Sequence, residues 1–138
     1  AVGKTTMDLS KMEAGEELLD FAGPLGVPTH LEGLKKVAVI GGGLGTAIAY
    51  PQAEKLHNMG AEVHLIIGFR DKSLIILEEE CKHVSDKLIV TTDDGSNGIK
   101  GFVTQRLQEL LDAGEQYDAV IAIGPLVMMR AVCEVTRP

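Results

Sequence analysis

Apolar positions along the chain change rhythm near residue 35. From Lys36 onward, short unbroken apolar runs alternate with segments of helical spacing. Val37, Ala38, Val39 and Ile40 form a run with β-branched residues and no polar alternation. Such a run predicts a strand buried on both faces. Ala49, Ala53, Leu56 and Met59 then fall near helical spacing, and Gly60 is a natural stop. Val63–Ile67 reads as a second strand, ended by Gly68. Leu74, Leu77, Cys81 and Val84 are spaced 3, 4 and 3, which predicts one helical face. Leu88–Val90 is a third strand, Val103–Leu111 a third helix closed at Gly114, and Ala119–Ile123 a fourth strand. Gly124-Pro125 opens a last helix with Pro in its first turn. The order β-α-β-α-β-α-β-α predicts an α/β fold, a doubly wound parallel sheet with helices on both faces. Before residue 35 the chain has only short apolar runs and much Gly and Pro. Leu18–Ala22 reads as a short strand there, and Gly23–Pro28 as a loop.

In such sheets ligands bind beyond the carboxyl ends of the strands. Every Gly-rich loop here follows a strand, so all of them share one sheet edge. Glycine is also the unusual number in the composition: 16 of 138 residues, against an expected ~7%. Gly41-Gly42-Gly43-Leu44-Gly45-Thr46 ends a strand and opens a helix. Glycines admit a phosphate close to the backbone, and the free N–H groups of a helix start favour an anion. The plainer alternative is a tight turn that packs helix on sheet. The run is not the strict dinucleotide fingerprint. Counted from Gly41, its last Gly position holds Thr46; counted from Gly43, it holds Ile48. The acidic residue expected after the second strand is replaced by Gly68-Phe69-Arg70.

Thr91–Gly98 carries the adjacent carboxylates Asp93 and Asp94. These suit ribose hydroxyls and oppose a 2′-phosphate. Turn chemistry is the alternative, and metal binding lacks ligand spacing. Gly124-Pro125 offers a low, rigid backbone for a planar ring, while Met128 and Met129 read equally as core filling. His64 lies in an apolar strand and reads as a core histidine. His57, His83 and Glu78–Glu80 read as solvated, and Cys81 and Cys133 as structural thiols. No Ser/His/Asp or Cys/His arrangement suggests a nucleophile.

Composition narrows the partners. Lys plus Arg is 13 and Asp plus Glu is 20, a formal charge of −7. With no basic cluster, nucleic acid is excluded as the expected partner. Hydrophobic residues make up 45% and charged residues 24%, as in an ordinary globular domain. No apolar stretch reaches about 18 residues, so no membrane span is expected. The two cysteines form no metal or disulfide pattern, which favours a reducing, cytoplasmic setting.

Four segments then stand out in order: VAVIGGGLGTAIAYPQAEKL, LIIGFRDKSLIILEEE, VTTDDGSNGIKGFVTQRL and AVIAIGPLVMMRAV. They resemble the pyridine-nucleotide domain of the ferredoxin–NADP reductase superfamily. The closest branch is the electron-transfer subunits of dihydroorotate dehydrogenase, of sulfide dehydrogenase or NADH-dependent ferredoxin–NADP oxidoreductase, and of hydrogenase gamma subunits. TTDDGSNGIKGFVT is the most specific piece. The resemblance implies a Rossmann-like strand order 3-2-1-4 with the fifth strand missing. Residues 1–34 would be the tail of a flavin-binding barrel and hinge, and 35–138 the NAD(P)-binding domain. It further implies that Gly41, Gly42, Gly43, Leu44, Gly45 and Thr46 hold the pyrophosphate of NAD(P)H. Phe69, Arg70, Thr92, Asp93 and Asp94 would line the adenosine end, and Gly124, Pro125, Met128 and Met129 the nicotinamide. Gly3, Thr5 and Thr6 would face FAD.

Three departures accompany the resemblance. Ile123 stands where the family often has Cys, and Ile48 where it often has Pro. The chain ends one helix after the fourth strand, before the cysteine cluster of a [2Fe-2S] centre, so the cluster's ligands are not in this chain. The expectation is a piece of an FAD-dependent NAD(P)H oxidoreductase, inactive alone, whose partners are a flavin domain and a catalytic subunit. NAD is slightly favoured because of Asp93 and Asp94, with Arg70 acting against that preference. A homo-oligomer is plausible through exposed sheet edges. The alternative from another class is a non-catalytic nucleotide-binding or docking module.

Overall fold

A computed structural model describes residues 3–137. The chain divides into two compact units, residues 1–30 and 31–138. The first contains α1 (Lys4–Leu9), preceded by Gly3 at φ 93°. None of its described residues is buried, and Met12 alone is half-buried. The strand expected at 18–22 does not form. Leu18, Leu19 and Phe21 are exposed there, with no neighbouring strand to complete a ladder, and a lone strand has no independent stability.

The second unit is built on β1 (Lys36–Gly42), β2 (Glu62–Phe69), β3 (Lys87–Thr92) and β4 (Ala119–Ile123). These are parallel, in the order β3-β2-β1-β4. The helices are α2 (Gly45–Asn58), α3 (Glu78–His83), α4 (Val103–Asp112) and α5 (Leu126–Val135). The expected α/β doubly wound sheet and its 3-2-1-4 order are both present. β1 shows why its sequence lacks alternation. Val37 and Val39 enter one core with Ala49, Ala53 and Leu56 of α2. Ala38 and Ile40 enter the other, with Val103, Leu107 and Leu110 of α4 and Val132 of α5. Successive side chains point to opposite faces, and both faces are covered. Leu31 is also buried in the α2-side core and Leu34 packs against it. The compact unit therefore starts at Leu31.

One helix differs from its expected form. Leu74, Leu77, Cys81 and Val84 do not share a continuous helix. The Asp71 carboxylate accepts the Ser73 N–H at 2.9 Å and starts a separate 3-10 turn, Lys72–Leu74. The chain then breaks at Leu77, at φ 56°, a conformation that side chains disfavour. α3 has room for only six residues. Cys81 and Val84 still reach the core, while Leu74 stays exposed. Cys133, expected as a structural thiol, is exposed on α5. Pro125 stands just before the first residue of α5 rather than inside its first turn.

The starts of β1 and β2 are each latched by an aspartate that immediately precedes a neighbouring strand. Asp86, before β3, accepts the Val63 N–H of β2 at 2.7 Å. Asp118, before β4, accepts the N–H groups of Lys35 and Lys36 at 2.7 and 2.9 Å. Among the described residues, no helix is long and apolar enough to cross a membrane.

Candidate functional site: the carboxyl edge of the sheet

The ends of β1, β2, β3 and β4 all lie at one edge because the strands are parallel. The Gly41–Gly45 loop is shaped by contacts that exclude side chains. A Cβ on Gly41 would lie 2.9 Å from Cα of Thr46, so α2 starts directly over the strand end. A Cβ on Gly45 would overlap the carbonyl oxygen of Ile123. A Cβ on Gly42 would meet Met128 Sδ at 2.5 Å, and one on Gly124 would meet Gly42 Cα at 3.1 Å. Met128 thus wedges between Gly42 and Gly124, in the core-filling role. Gly43 is different: it has φ +55°, and open space stands where its Cβ would be.

The loop's polar groups are partly uncommitted. Gly43 N–H donates to Gly68 O at 2.8 Å, and Thr46 N–H to Gly43 O at 3.1 Å. The N–H groups of Leu44 and Gly45 have no protein acceptor among the described residues. The Thr46 hydroxyl is fully buried and has no partner. An orphaned buried hydroxyl is uncommon in a folded domain. Free amides at a glycine-lined helix start, over a space that a Cβ would fill, fit a diphosphate.

At the end of β2, Phe69 is 3% exposed and belongs to the core. Its side chain packs into the core rather than onto the edge surface. Arg70 is exposed and forms no ion pair among the described residues. The loop after β3 is joined to this end: Asp93 N–H donates to Phe69 O at 3.0 Å and Asp94 N–H to Arg70 O at 3.4 Å. Thr92 is fully buried, and its hydroxyl donates to Asn97 Oδ1 at 2.9 Å. Thr91 binds the Gly101 carbonyl at 2.7 Å. Asp94 accepts the Ser96 N–H at 2.9 Å, an Asx turn. Ser96, through its hydroxyl and its N–H, holds the Asp94 carboxyl below the usual carboxylate range. Asp93 is left as the exposed carboxylate with no side-chain hydrogen bond among the described residues.

Sequence reading missed Asn97. Its Nδ2 donates to Val90 O at 2.8 Å, while its Oδ1 accepts from Ile99 N–H at 3.0 Å and from Thr92. No local pattern marks such a residue, because its partners lie on both sides of the loop.

The remaining expected positions divide plainly. Gly42, Gly45, Gly124, Pro125 and Met128 come together. Met129 is half-buried on α5, its N–H bonded to Pro125 O at 3.0 Å. Gly3, Thr5 and Thr6 belong to the first unit, where the Thr6 hydroxyl donates to Gly3 O at 3.2 Å. Thr5 lines a shallow hollow of about 420 Å³ with Asp8, Leu9, Met12 and Leu18. No group of three or more His, Cys, Asp or Glu among the described residues could hold a metal, so these residues do not fit a [2Fe-2S] centre.

The opposite edge holds a second polar cluster. His64, 4% exposed, places Nδ1 2.8 Å from the Tyr117 hydroxyl and Nε2 3.0 Å from Glu62. Its expected reading as a satisfied core histidine holds. Burial, above all, pushes Tyr117 up to about 12. Lys36 bridges Glu115 at 2.6 Å and Glu62 at 2.8 Å, and its ammonium holds both carboxyls below their usual range.

Comparison with known proteins agrees with this architecture. No family model matches the chain. A protein of Clostridium beijerinckii described only as uncharacterized, from an adh 3′ region, is 41% identical over 99% of this chain and 49% of its own length. The dihydroorotate dehydrogenase B (NAD(+)) electron transfer subunit homolog of Thermotoga maritima is 42% identical over 94% of this chain and 45% of its own. Among solved structures, a chain of the NADH-dependent reduced ferredoxin–NADP oxidoreductase superposes with a TM-score of 0.82 at 39% identity. It covers 99% of this chain and 49% of that one. The C-terminal domain of a Pyrococcus furiosus hydrogenase gives 0.66 at 28% identity, over 83% of this chain and 93% of that one. Fold and sequence together match the ferredoxin–NADP reductase superfamily. Within it, the homologues are dihydroorotate dehydrogenase B electron-transfer subunits. The chain spans about half the length of the curated relatives it matches.

Proposed function

We propose that residues 31–138 bind NAD(P)H and present its nicotinamide to a flavin in an electron-transfer subunit. The observation that carries the reading is the Gly41–Thr46 cradle, with unpartnered Leu44 and Gly45 amides and a buried, unsatisfied Thr46 hydroxyl. Leu44 and Gly45 N–H groups would donate to the diphosphate. Asp93 would accept from ribose hydroxyls, and Arg70 would lie beside the adenosine end. Gly124 and Pro125, held by Met128, would form the low floor under the nicotinamide. Reduced nicotinamide supplies a hydride, and a bound flavin can accept it. This chain would contribute binding and orientation, and no general acid or base is assigned among the described residues.

The relatives' names, an electron transfer subunit and a flavin-based bifurcating oxidoreductase, support assigning a flavin and a partner subunit to the intact protein; that the flavin is FAD and that a [2Fe-2S] centre follows it rest on the family resemblance. Gly3, Thr5 and Thr6 are proposed on the flavin side, and residues 1–34 as the tail of a flavin-binding barrel and hinge. The free thiols Cys81 and Cys133 accord with a cytoplasmic setting. The exposed carboxylate of Asp93, without a side-chain hydrogen bond among the described residues, favours NAD over NADP. Thermal melts of the intact protein test the reading: NADH is expected to raise Tm in proportion to binding, and more than NADPH does. No shift with either nucleotide contradicts it.

A further inference from the structure

The loop after β3 holds one residue whose bonding exceeds what a turn needs. Asn97 is half-buried and uses both ends of its carboxamide. Nδ2–H donates to Val90 O of β3 at 2.8 Å. Oδ1 accepts from the Ile99 N–H at 3.0 Å and from the Thr92 hydroxyl at 2.9 Å. The Asn97 N–H in turn faces Thr92 Oγ1 at 3.4 Å. The amide cannot be reversed, because its oxygen would then oppose the Val90 carbonyl. One side chain therefore ties the returning segment of the loop to the end of the sheet. Asp93 and Asp94 lie on the span it closes, and Asp93 is the carboxylate left free.

We infer that Asn97 is a positioning residue for coenzyme binding: it presets the loop so that Asp93 meets the adenosine ribose. This rests on the proposed nucleotide reading of the carboxyl edge. Preorganisation of this kind lowers the ordering that binding would otherwise require. Asn97→Asp replaces the Nδ2 donor with a carboxylate oxygen that opposes Val90 O and adds a negative charge, so its effect is read together with the Asn97→Ala cycle, which adds none.

The experiment is calorimetric titration of the intact protein with NADH, for wild type, Asn97→Asp, Asn97→Ala, Asp93→Ala and the Asn97→Ala/Asp93→Ala double variant. Melts without coenzyme confirm that each is folded at the titration temperature. Asn97→Asp is expected to raise Kd about tenfold. Asn97→Ala is expected to weaken binding strongly alone and by less than about twofold once Asp93 is removed, because coupled residues are not additive. A merely structural role would lower Tm and leave the two effects additive. If Asn97→Ala does not fold, Asn97→Asp takes its place in the cycle. Additive effects, or an Asn97→Asp Kd within about twofold of wild type, overturn the inference. Wild type that binds no NADH defeats the nucleotide reading itself, and is seen before any variant is compared.

Discussion

Cα of Gly45 rests so close to the carbonyl of Ile123 that any side chain at residue 45 would overlap it. This contact joins the start of α2 to the end of β4, across the strand that carries the glycine loop. It fixes where the free amides of Leu44 and Gly45 lie. Gly45→Ala must push backbone against backbone, since neither atom belongs to a flexible side chain. Overpacking of this sort costs about 1–3 kcal/mol. The expected outcome is a Tm several degrees lower and a marked loss of NADH affinity, read from melts and titration of the same variant.

Met128 and Met129 are neighbours with different duties. Met128 fills the space between Gly42 and Gly124, and Met129 does not. Met128→Ala is expected to destabilise by about 2 kcal/mol, near the low end for truncating a buried methionine because it is only part-buried. Met129→Ala is expected to cost less. Urea unfolding of both variants checks the order, and a larger loss for Met129→Ala would remove the wedge assignment.

Coenzyme choice follows from which carboxylate is free. Asp94 is committed to Ser96, so on the proposed reading Asp93 would carry the discrimination against a 2′-phosphate. Asp93→Asn is expected to narrow the NADH-to-NADPH affinity ratio by about tenfold, and Arg70→Ala to widen it. Titration of each variant with both nucleotides reads the ratio. An unchanged ratio in Asp93→Asn would remove the acidic residue from the account.

Acid stability has a defined sign. The backbone amides of Lys36 and Lys35 hold Asp118 below the usual carboxylate range, and Lys36 does the same for Glu115 and Glu62. A carboxyl whose folded value is depressed binds fewer protons folded than unfolded. Its contribution is present above the unfolded value and lost as pH falls through the folded one. Tm is therefore expected to decline below about pH 4–5. Asp118→Asn should flatten that limb and lower Tm near pH 7. Melts between pH 3 and 7 at one ionic strength follow it.

The two thiols should differ. Burial, above all, pushes Cys81 up to about 11, whereas Cys133 is exposed. A thiol reagent at pH 8 is expected to modify Cys133 promptly in the native protein and Cys81 only on unfolding.

What could be read in advance depended on how local its cause was. β1 was legible because Val37–Ile40 is buried on both faces, and burial leaves its mark in the residues themselves. The glycine loops were legible as loops, and their shared edge followed from parallel strands. α3 was not legible as a short helix: the Asp71 cap and the left-handed Leu77 interrupt an apolar spacing that continues through them. Phe69 and Thr92 hold places in the chain that suit a ligand's edge, yet their side chains turn inward. Asn97 and the Tyr117 partner of His64 escaped notice because their bonds join residues that only the fold brings together.

The measurement closest to the central claim is amide NMR of the isotopically labelled intact protein during NADH addition. Saturable shifts centred on Leu44 and Gly45, with smaller ones at Asp93 and Gly124, are the expected result. Full saturation by NADH with those two amides unmoved, or no response to NADH at all, would contradict it.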